Sequence, residues 1–271
     1  MSATAVKSRV VLTRPQGKNE ALAERLSRAG LPALLLPALR IRPLAPGAAH
    51  TPAPEEYDLL VFVSGHALQF YLQALAQCGD GQAWPRHTLA ATVGGASARM
   101  LEDTGFIPSS QIIYPGPDVN QDSESLWRLL QPHLAGMKRV LIVRGQTGRE
   151  WLGARLEKAG LEVHRLAMYE RMPVQWDRQQ AEQLAQILDQ PEPCVFLLTS
   201  SESLDAVHNN IRRVGLEQTW ARSRFVVIHE RIARRLQSSL QASGKVEAPM
   251  VKICQPGDDT IFQMITLAAA L

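Results

Sequence analysis

Short apolar runs alternate with amphipathic segments along most of the chain. Each run is four or five residues long and rich in valine, leucine and isoleucine, which is typical of parallel strands buried on both faces. Strands that alternate with helices predict an α/β fold, in which parallel sheets carry helices on both faces. The predicted strands are Val10–Thr13, Leu59–Val63, Ala90–Val93, Val140–Val143, Val195–Thr199 and Phe225–Ile228.

Two of the amphipathic segments show a clear helical spacing of their apolar residues. They are Asn19–Ala29 and Glu150–Ala159, and the glycine that follows each, Gly30 or Gly160, predicts the end of the helix. The apolar tail Ile261–Leu271 predicts a terminal helix docked on the fold.

The chain also contains an internal repeat. The segment VVLTRPQGKNEALAERLSRAGL, from Val10, aligns with VLIVRGQTGREWLGARLEKAGL, from Val140, so that Arg14 meets Arg144. A shared strand and helix pattern alone would not bring the same arginine, glutamine and glycine residues into register. Two copies of one α/β unit are therefore predicted, and two small doubly wound domains fit the length.

The residues leave two ways of dividing the chain open. A single cut near Ala135 separates the two copies of the repeat. Alternatively, the segments Pro37–Pro43 and Ala167–Pro173, which occupy equivalent places in the repeat and end in proline, both cross between domains.

Composition narrows the classes of function. The chain has 29 basic and 26 acidic residues, a net charge of +3 that is too small to indicate a nucleic-acid binder. Its three cysteines, Cys78, Cys194 and Cys254, form no CxxC pair, which favours reduced thiols in the cytoplasm. The amino terminus lacks the apolar run of a signal peptide, and no stretch reaches the length of a membrane span, so we expect a soluble protein.

Candidate chemistry follows the carboxyl ends of the predicted strands, where ligands bind in open parallel sheets. Six loops there combine glycines, small hydroxyls and arginines at helix amino termini, a set that suits a ligand with several negative charges. We place all six at one sheet edge. The loops are Thr13-Arg14-Pro15, Ser64-Gly65-His66, Gly94-Gly95-Ala96-Ser97, Arg144-Gly145 with Gly148-Arg149, Thr199-Ser200-Ser201 and His229-Glu230-Arg231.

Each loop also has a purely structural interpretation. Ser64 and Ser200 are typical helix caps, and His229 could also be a cap rather than a ligand contact. Arg14 and Arg144 could form surface ion pairs. It is the shared chemistry of the six loops that favours binding.

Tyr169 is the candidate proton donor. It lies in AMYERMP, an extended segment that we expect to run between domains rather than inside a core. A phenol can donate a proton or a hydrogen bond to a leaving oxygen. The alternative is an amphipathic tyrosine that packs at a domain edge.

Several other activities lack their motifs. The chain has no GxGxxG after a strand, no GxxxxGK[ST], no GxSxG and no HExxH. Dinucleotide binding, a P-loop, a serine nucleophile elbow and a dedicated metal site are therefore not expected.

The segments of this chain, taken in their order along the sequence, resemble those of the bacterial uroporphyrinogen-III synthases along nearly the whole chain. The strongest match is KRVLIVRGQTGREWLGARLEKAGLEVHRLAMYERMP, which contains Arg144, Arg149 and Tyr169. Two positions depart from the family pattern: Val63 replaces a threonine, and Ile232 removes a hydroxyl from the last loop. The other matching segments are VVLTRPQG, YDLLVFVSGHAL, ATVGGASARML, YPGPDVNQDSESL, FLLTSSESL and VVIHERIA.

This resemblance implies a domain division and an oligomeric state. It implies two Rossmann-like or flavodoxin-like domains joined by a two-stranded connector, with residues 1–38 and 174–271 in one and 43–168 in the other. The connectors would be residues 39–42 and 169–173. A monomer without cofactor is implied as well.

The resemblance also implies the reaction. Hydroxymethylbilane, a linear tetrapyrrole, would lose its terminal hydroxyl as water and close with inversion of ring D, and Tyr169 would assist departure of the hydroxyl. The substrate-binding residues would be Arg14, Ser64, Gly95, Ser97, Arg144, Arg149, Thr199, Ser200, Ser201, His229 and Arg231. The rivals are a nucleotide-dependent enzyme on a Rossmann-like fold and a two-domain receptor that binds an anion without converting it.

Overall fold

The chain forms two compact units. A computed structural model describes residues 9–44, 51–77, 83–116, 119–242 and 249–271, so the expectation for Cys78 lies outside the described residues. Unit 1 consists of Met1–Ile41 and Met172–Leu271, and unit 2 is Arg42–Arg171. In the described ranges no helix combines the length and the apolar character needed to cross a membrane.

Helices and strands alternate along the chain. The strands are β1 (Val10–Leu12), β2 (Ala33–Leu35), β3 (Leu39–Pro43), β4 (Leu59–Phe62), β5 (Leu89–Thr92), β6 (Ile112–Ile113), β7 (Arg139–Gly145), β8 (Glu162–Pro173), β9 (Val195–Leu198), β10 (Arg224–Val227) and β11 (Val251–Ile253). The helices are α1 (Glu20–Arg28), α2 (Gly65–Gln77), α3 (Gly95–Asp103), α4 (Ser123–Leu130), α5 (Trp151–Lys158), α6 (Arg178–Leu188), α7 (Ser201–Arg213), α8 (Glu217–Ala221), α9 (Glu230–Ala242) and α10 (Asp258–Ala270).

Unit 1 is built on a five-stranded parallel sheet in the order β2-β1-β9-β10-β11. Alternate residues of a strand point to opposite faces, so the apolar runs serve two cores. Val11 and Phe196 pack with the helices α6 to α9 on one face. Val10 and Leu197 pack with α1 and α10 on the other. The sheet is therefore covered by helices on both faces.

The second sheet has six strands in the order β3-β8-β7-β4-β5-β6. The strands from β8 to β6 are parallel. Val61 and Ile142 pack on one face with α4 and α5. On the other face the ring of Phe62 meets that of Tyr71 in α2, with 5.6 Å between ring centroids. Helices therefore cover both faces of this sheet as well, and the predicted α/β fold with two doubly wound parallel sheets is confirmed.

The two sheets have the same strand order under a circular permutation. Unit 1 has the order 2-1-3-4-5 when its strands are numbered along the chain from β1. The strands of unit 2 from β8 to β6 have the same order when β7 is numbered 1, β8 is numbered 2, and β4, β5 and β6 are numbered 3, 4 and 5. The repeat pairs Val10 with Val140, which lie at equivalent places. Ser64 and Ser200 do so too, because each follows the third strand in this numbering. The strand order reverses between β1 and β9 and between β7 and β4, and such switch points are where doubly wound sheets bind ligands.

A carboxylate fixes β7 beside β4. Asp58, just before β4, accepts backbone hydrogen bonds from Lys138 at 2.7 Å and Arg139 at 2.9 Å. The bond from Arg139 is the main reason that the pKa of Asp58 lies below its usual value. Because the folded pKa is lowered, Asp58 stabilises the fold fully above about pH 4, and this contribution is lost as pH falls through the lowered value.

We expect Asp58→Asn to lower the midpoint of urea unfolding at pH 7 and to match the parent chain at a pH below the lowered pKa of Asp58, where that carboxyl is neutral. Urea unfolding followed by circular dichroism at both pH values measures this convergence. Asp103→Asn, at an exposed helix end, is the matched control and should change neither midpoint. A difference between Asp58→Asn and the parent that stays constant with pH would contradict the assignment.

Candidate functional site

The six predicted loops follow the carboxyl ends of strands in both sheets. Sequence reasoning placed all six at one sheet edge, and this was wrong, because the loops divide three to each sheet. Those with Arg14, Ser200 and His229 follow β1, β9 and β10 in unit 1. Those with Ser64, Gly95 and Arg144–Arg149 belong to β4, β5 and β7 in unit 2. Each sheet thus presents one set at its own switch point.

Tyr169 is held in place by an irregularity between β7 and β8. The pairing shifts after Arg144, so that Gly145 stands opposite Tyr169, and the Gln146 N–H donates to the Tyr169 carbonyl at 2.7 Å. A Cβ atom on Gly145 would lie 2.9 Å from Cε2 and Cζ of the Tyr169 ring. Only glycine therefore leaves room for the tyrosine at this position.

The phenol oxygen of Tyr169 lies in a small hydrogen-bonded cluster. Arg171 donates to it at 2.8 Å, and the Ser64 hydroxyl lies 3.0 Å away. The Arg171 guanidinium also stands 5.2 Å from the centroid of the Tyr169 ring. Ser64 in turn accepts from the Ala67 N–H at 3.2 Å and so caps α2, as one of its two interpretations predicted.

The surroundings of Tyr169 differ from the sequence expectation. An extended segment outside any core was predicted, but β8 is a continuous strand and Tyr169 has no exposed surface. The rings of His66 and Phe70 in α2 lie beside it, at 5.7 and 6.3 Å between centroids. The sequence pattern missed this burial because the polar neighbours Glu170 and Arg171 gave the segment a surface-like composition.

A cavity of about 200 Å³ lies beside this cluster in unit 2. Tyr169 and Arg171 form one part of its wall, and apolar residues such as Val63 and Ile142 form another. The remaining wall comes from the start of α4 at Ser123 and from residues at and after the end of β7. These residues are Arg144, at the end of β7, and Thr147, Gly148, Arg149 and Glu150 after it.

Arg144 already has a carboxylate partner. Its guanidinium pairs with Glu150 and also donates to the Gly145 carbonyl at 3.2 Å. Arg165 contacts the second oxygen of Glu150 at 3.0 Å. The bond from Arg144 is the main reason that the pKa of Glu150 lies below its usual value. The predicted ion pair exists, but the guanidinium is buried at the end of β7 rather than exposed in a loop.

Arg149 forms a two-pronged ion pair with Glu124 at the start of α4. Its Nη1 and Nη2 atoms lie 3.2 and 2.5 Å from the two carboxylate oxygens. Hydrogen bonding to Glu124 raises the pKa of the guanidinium. The pair is half-exposed, so it contributes little to stability and can exchange partners.

The glycine loop after β5 is covered by Gln121. The side-chain oxygen of Gln121 accepts from the Gly95 N–H at 3.0 Å. A Cβ atom on Gly95 would lie 3.2 Å from the Gln121 nitrogen. Ser97 is half-buried in the first turn of α3, and its N–H donates to the Gly94 carbonyl at 3.0 Å. Gln121 thus takes the backbone donor that sequence reasoning assigned to a ligand.

In unit 1, the loops after β9 and β1 contain a helix cap, two half-buried hydroxyl residues and an arginine in an ion pair. Ser200 caps α7 through the Ser203 N–H at 3.0 Å, as its structural interpretation predicted. Thr199 and Ser201 flank it and are half-buried. Arg14 donates to Asp258 at 2.9 Å with its side chain largely buried, so its predicted ion pair also exists.

The loop after β10 carries His229 and Arg231. Both are exposed, and the Arg231 N–H donates to His229 Nδ1 at 3.0 Å, which fits the capping interpretation of His229. Within the described part of unit 1, the Arg231 guanidinium makes no ion pair. It is therefore open to a carboxylate from outside the chain.

Neither metal nor thiol chemistry is apparent in the described residues. They contain no group of three or more histidine, cysteine, aspartate or glutamate residues close enough to hold a metal ion. Cys194 and Cys254 are free thiols. Burial raises the pKa of Cys194 to about 12, so this thiol is not a nucleophile.

Sequence reasoning missed Arg171, Gln121 and Glu124. Arg171 lies two residues from Tyr169 on the same strand, so the period of two could have placed both on one face. Gln121 and Glu124 gave no comparable signal, because their partners are more than twenty residues away in sequence.

Comparisons with known proteins identify the family of this chain. The family model for uroporphyrinogen-III synthase HemD matches residues 20–250. The uroporphyrinogen-III synthase of Escherichia coli (strain K12) is 32% identical over 231 residues, which cover 83% of this chain and 89% of that protein. The enzyme of the same name from Salmonella typhimurium (strain LT2) is 31% identical over 228 residues, which cover 83% of this chain and 88% of that protein.

Solved structures share the fold. A mutant uroporphyrinogen III synthase from the extremely thermophilic bacterium Thermus thermophilus matches with a TM-score of 0.60 at 17% identity, covering 96% of this chain and 98% of that one. The uroporphyrinogen-III synthetase of Helicobacter pylori 26695 also gives 0.60, at 14% identity, covering 96% and 99%. These identities support the fold alone, but the family model and the relative from Escherichia coli cover most of the chain. This chain therefore belongs to the uroporphyrinogen-III synthase family.

Proposed function

We propose that this chain cyclises hydroxymethylbilane to uroporphyrinogen III, with inversion of ring D and release of water. Family membership supports the reaction, and the observation that carries the site is the phenol of Tyr169. Its oxygen contacts Arg171 and Ser64 at the carboxyl edge of the sheet in unit 2, in the wall of a cavity. That place is a switch point of the strand order, where doubly wound sheets bind ligands.

The substrate supplies most of the driving force for this chemistry. The lone pair of a pyrrole nitrogen expels the terminal hydroxyl, the carbon–oxygen bond breaks, and the hydroxyl leaves as water once it has gained a proton. The azafulvene cation that remains is attacked through the substituted carbon of ring D, which gives a spiro intermediate. Fragmentation and closure at the other position invert the ring, and loss of a proton restores the pyrrole.

Tyr169 would assist the first of these steps. A phenol can donate a hydrogen bond or a proton to the departing oxygen. The fully buried ring excludes water around the oxygen, which strengthens each polar contact there. The protein must also hold the flexible chain in the folded conformation that leads to inversion rather than to the symmetric isomer.

Arginines and backbone donors would hold the carboxylates of the substrate. Hydroxymethylbilane carries four acetate and four propionate groups. We assign these contacts to Arg144, Arg149, Ser64, Gly95 and Ser97 in unit 2. Carboxylates of the chain already occupy two of the arginines, which supports their fit to such groups. The residues assigned in unit 1 are Arg14, Thr199, Ser200, Ser201, His229 and Arg231.

The cavity in unit 2 would take only part of the substrate. Pockets for drug-sized ligands measure roughly 300–1,000 Å³, whereas this one measures about 200 Å³. It would therefore receive a single ring or side chain of the tetrapyrrole. We place the terminal hydroxyl at this position because Tyr169 and Arg171 both line the wall.

We also propose that the protein works in the cytoplasm as a monomer. The free thiols of Cys194 and Cys254 support a reducing compartment. The monomer rests on the family resemblance.

The test is the isomer made from freshly prepared hydroxymethylbilane. Chromatography of the oxidised products should show the type III isomer in excess over the symmetric isomer formed without protein. A receptor without catalysis would bind the substrate and leave the isomer ratio of the spontaneous reaction unchanged. That outcome would refute the proposed function.

Tyr169→Phe should lower the rate of type III formation by about tenfold or more, which corresponds to about 1.4 kcal/mol of transition-state stabilisation. The matched control is Tyr57→Phe, because Tyr57 is also buried and its hydroxyl contacts His164 at 2.8 Å. Tyr57 precedes β4, at the opposite end of that strand from Ser64. Parental turnover by Tyr169→Phe would reject the assigned role of the phenol.

A further inference from the structure

We infer that Arg171 is a positioning residue that fixes the direction in which Tyr169 donates its proton. This inference rests on the proposed function of Tyr169. It concerns a residue that lies in the same cluster but has no part in the proposed chemistry so far.

The hydrogen bond between Arg171 and the phenol of Tyr169 has a fixed direction. A guanidinium donates hydrogen bonds and never accepts them, so the Tyr169 oxygen accepts from Arg171 over 2.8 Å. The single proton of the phenol must then point elsewhere. Within the described residues the other partner of that oxygen is Ser64, at 3.0 Å. Arg171 therefore turns the phenol proton away from itself, to a side of the oxygen where the Ser64 hydroxyl can accept it.

A substrate hydroxyl in the cavity beside Tyr169 would accept the phenol proton in place of Ser64. Ser64 and Arg171 are half-buried, while Tyr169 has no exposed surface. An incoming hydroxyl oxygen accepts a hydrogen bond in the same way as the Ser64 oxygen does. With Arg171 in place, the phenol meets such an oxygen with its proton already directed at it, so no reorientation is needed at the moment of reaction.

The cation also stands beside the phenol ring. The Arg171 carbon Cζ lies 5.2 Å from the ring centroid, a distance at which a cation is attracted to an aromatic face. This contact and the hydrogen bond act on the same ring. Together they restrain the tyrosine side chain, while the backbone bond from Gln146 restrains its main chain.

A rival role for Arg171 gives a different kinetic result. If the guanidinium instead bound a substrate carboxylate, its loss would raise KM and leave kcat unchanged, because ground state and transition state would be affected equally. A positioning residue acts in the transition state, so its loss lowers kcat with little change in KM. The two roles can therefore be separated by one set of rate measurements.

The experiment compares Arg171→Met with Arg171→Lys, Tyr169→Phe and the double variant of Arg171→Met with Tyr169→Phe. We expect kcat to fall about tenfold in Arg171→Met, with KM within twofold of the parent, and lysine to restore part of the rate because it still donates. In the Tyr169→Phe background, Arg171→Met should cause almost no further loss, since the phenol through which it acts is gone.

Arg128→Met is the matched control. Arg128 is exposed in α4 and donates to the Ser125 hydroxyl at 3.0 Å, a bond of the same kind outside the cluster. Its loss should leave kcat and KM unchanged. Circular dichroism and the thermal midpoint show whether each variant is folded. If Arg171→Met does not fold, the same comparison of single and double variants is made with Arg171→Lys in its place.

The outcomes separate this inference from the proposed function. Loss of rate in Tyr169→Phe together with a change only in KM for Arg171→Met, or with full additivity in the double variant, would overturn the role of Arg171 alone. Parental rates in Tyr169→Phe would instead overturn the proposed role of the phenol. A lowered kcat that is not additive with Tyr169→Phe supports the inference.

Discussion

Gly145→Ala is expected to lower the rate of type III formation by at least tenfold and to destabilise the fold. The added Cβ atom would lie 2.9 Å from two ring carbons of Tyr169 and 3.2 Å from its hydroxyl oxygen. The ring is fully buried between β7 and α2, so it cannot swing aside freely. Overpacking of this kind costs about 1–3 kcal/mol, and relief would come from moving the phenol away from Ser64 and Arg171.

The measurements are the initial rate with hydroxymethylbilane and the midpoint of urea unfolding at neutral pH. Gly116→Ala is the matched control in unit 2, because a Cβ atom there would meet nothing within 4 Å and the backbone is not in the left-handed region. It should alter neither quantity. A parental rate in Gly145→Ala would mean that the position of the phenol does not limit the reaction.

The pattern of apolar runs was sufficient to predict six of the eleven strands that the structure describes. All six predicted runs are strands, and Leu59 and Val140 illustrate why, since burial on both faces demands unbroken apolar character. The internal repeat predicted which strands are equivalent. It could not predict which strands are neighbours, because the pairing of β7 with β4 joins segments about eighty residues apart.

Only those site residues that give a signal within a short stretch of sequence could be predicted. Ser64 and Ser200 were found because a hydroxyl before a helix is a local signal, and both cap helices. The burial of Tyr169 was not predictable, because it depends on the bulge after Arg144 and on the missing side chain of Gly145. Both features arise from the pairing of two strands, so they cannot be predicted from one segment of the sequence alone.

The partners of the arginines show a similar limit. The repeat aligns Arg14 with Arg144 and Glu20 with Glu150, which suggests equivalent ion pairs in the two units. Arg144 does pair with Glu150, but Arg14 pairs with Asp258, and Glu20 accepts from the Asn19 N–H instead. Identical residues in register can thus acquire different partners once the rest of each unit has diverged.

Asn210→Leu is expected to destabilise the protein by about 3 kcal/mol. The Asn210 side chain is buried, donates to the Val174 carbonyl at 2.8 Å and accepts from the Trp176 N–H at 3.0 Å. Leucine has a similar volume but would leave both backbone groups without a partner, and each buried unpaired group costs about 1–3 kcal/mol. These two bonds fix the segment directly after β8 against α7, so their loss would loosen the packing of that segment in unit 1.

The neighbouring residue provides the control for this prediction. Asn209 lies one position earlier in α7 and is exposed, so Asn209→Leu should change the midpoint of urea unfolding only slightly. A second variant, Asn210→Asp, keeps the acceptor for the Trp176 N–H and removes the donor to Val174. Its midpoint of urea unfolding at neutral pH lies between those of the parent and Asn210→Leu only if the retained hydrogen bond outweighs the cost of a buried charge. Equal midpoints for Asn209→Leu and Asn210→Leu would show that volume, rather than hydrogen bonding, decides stability at this position.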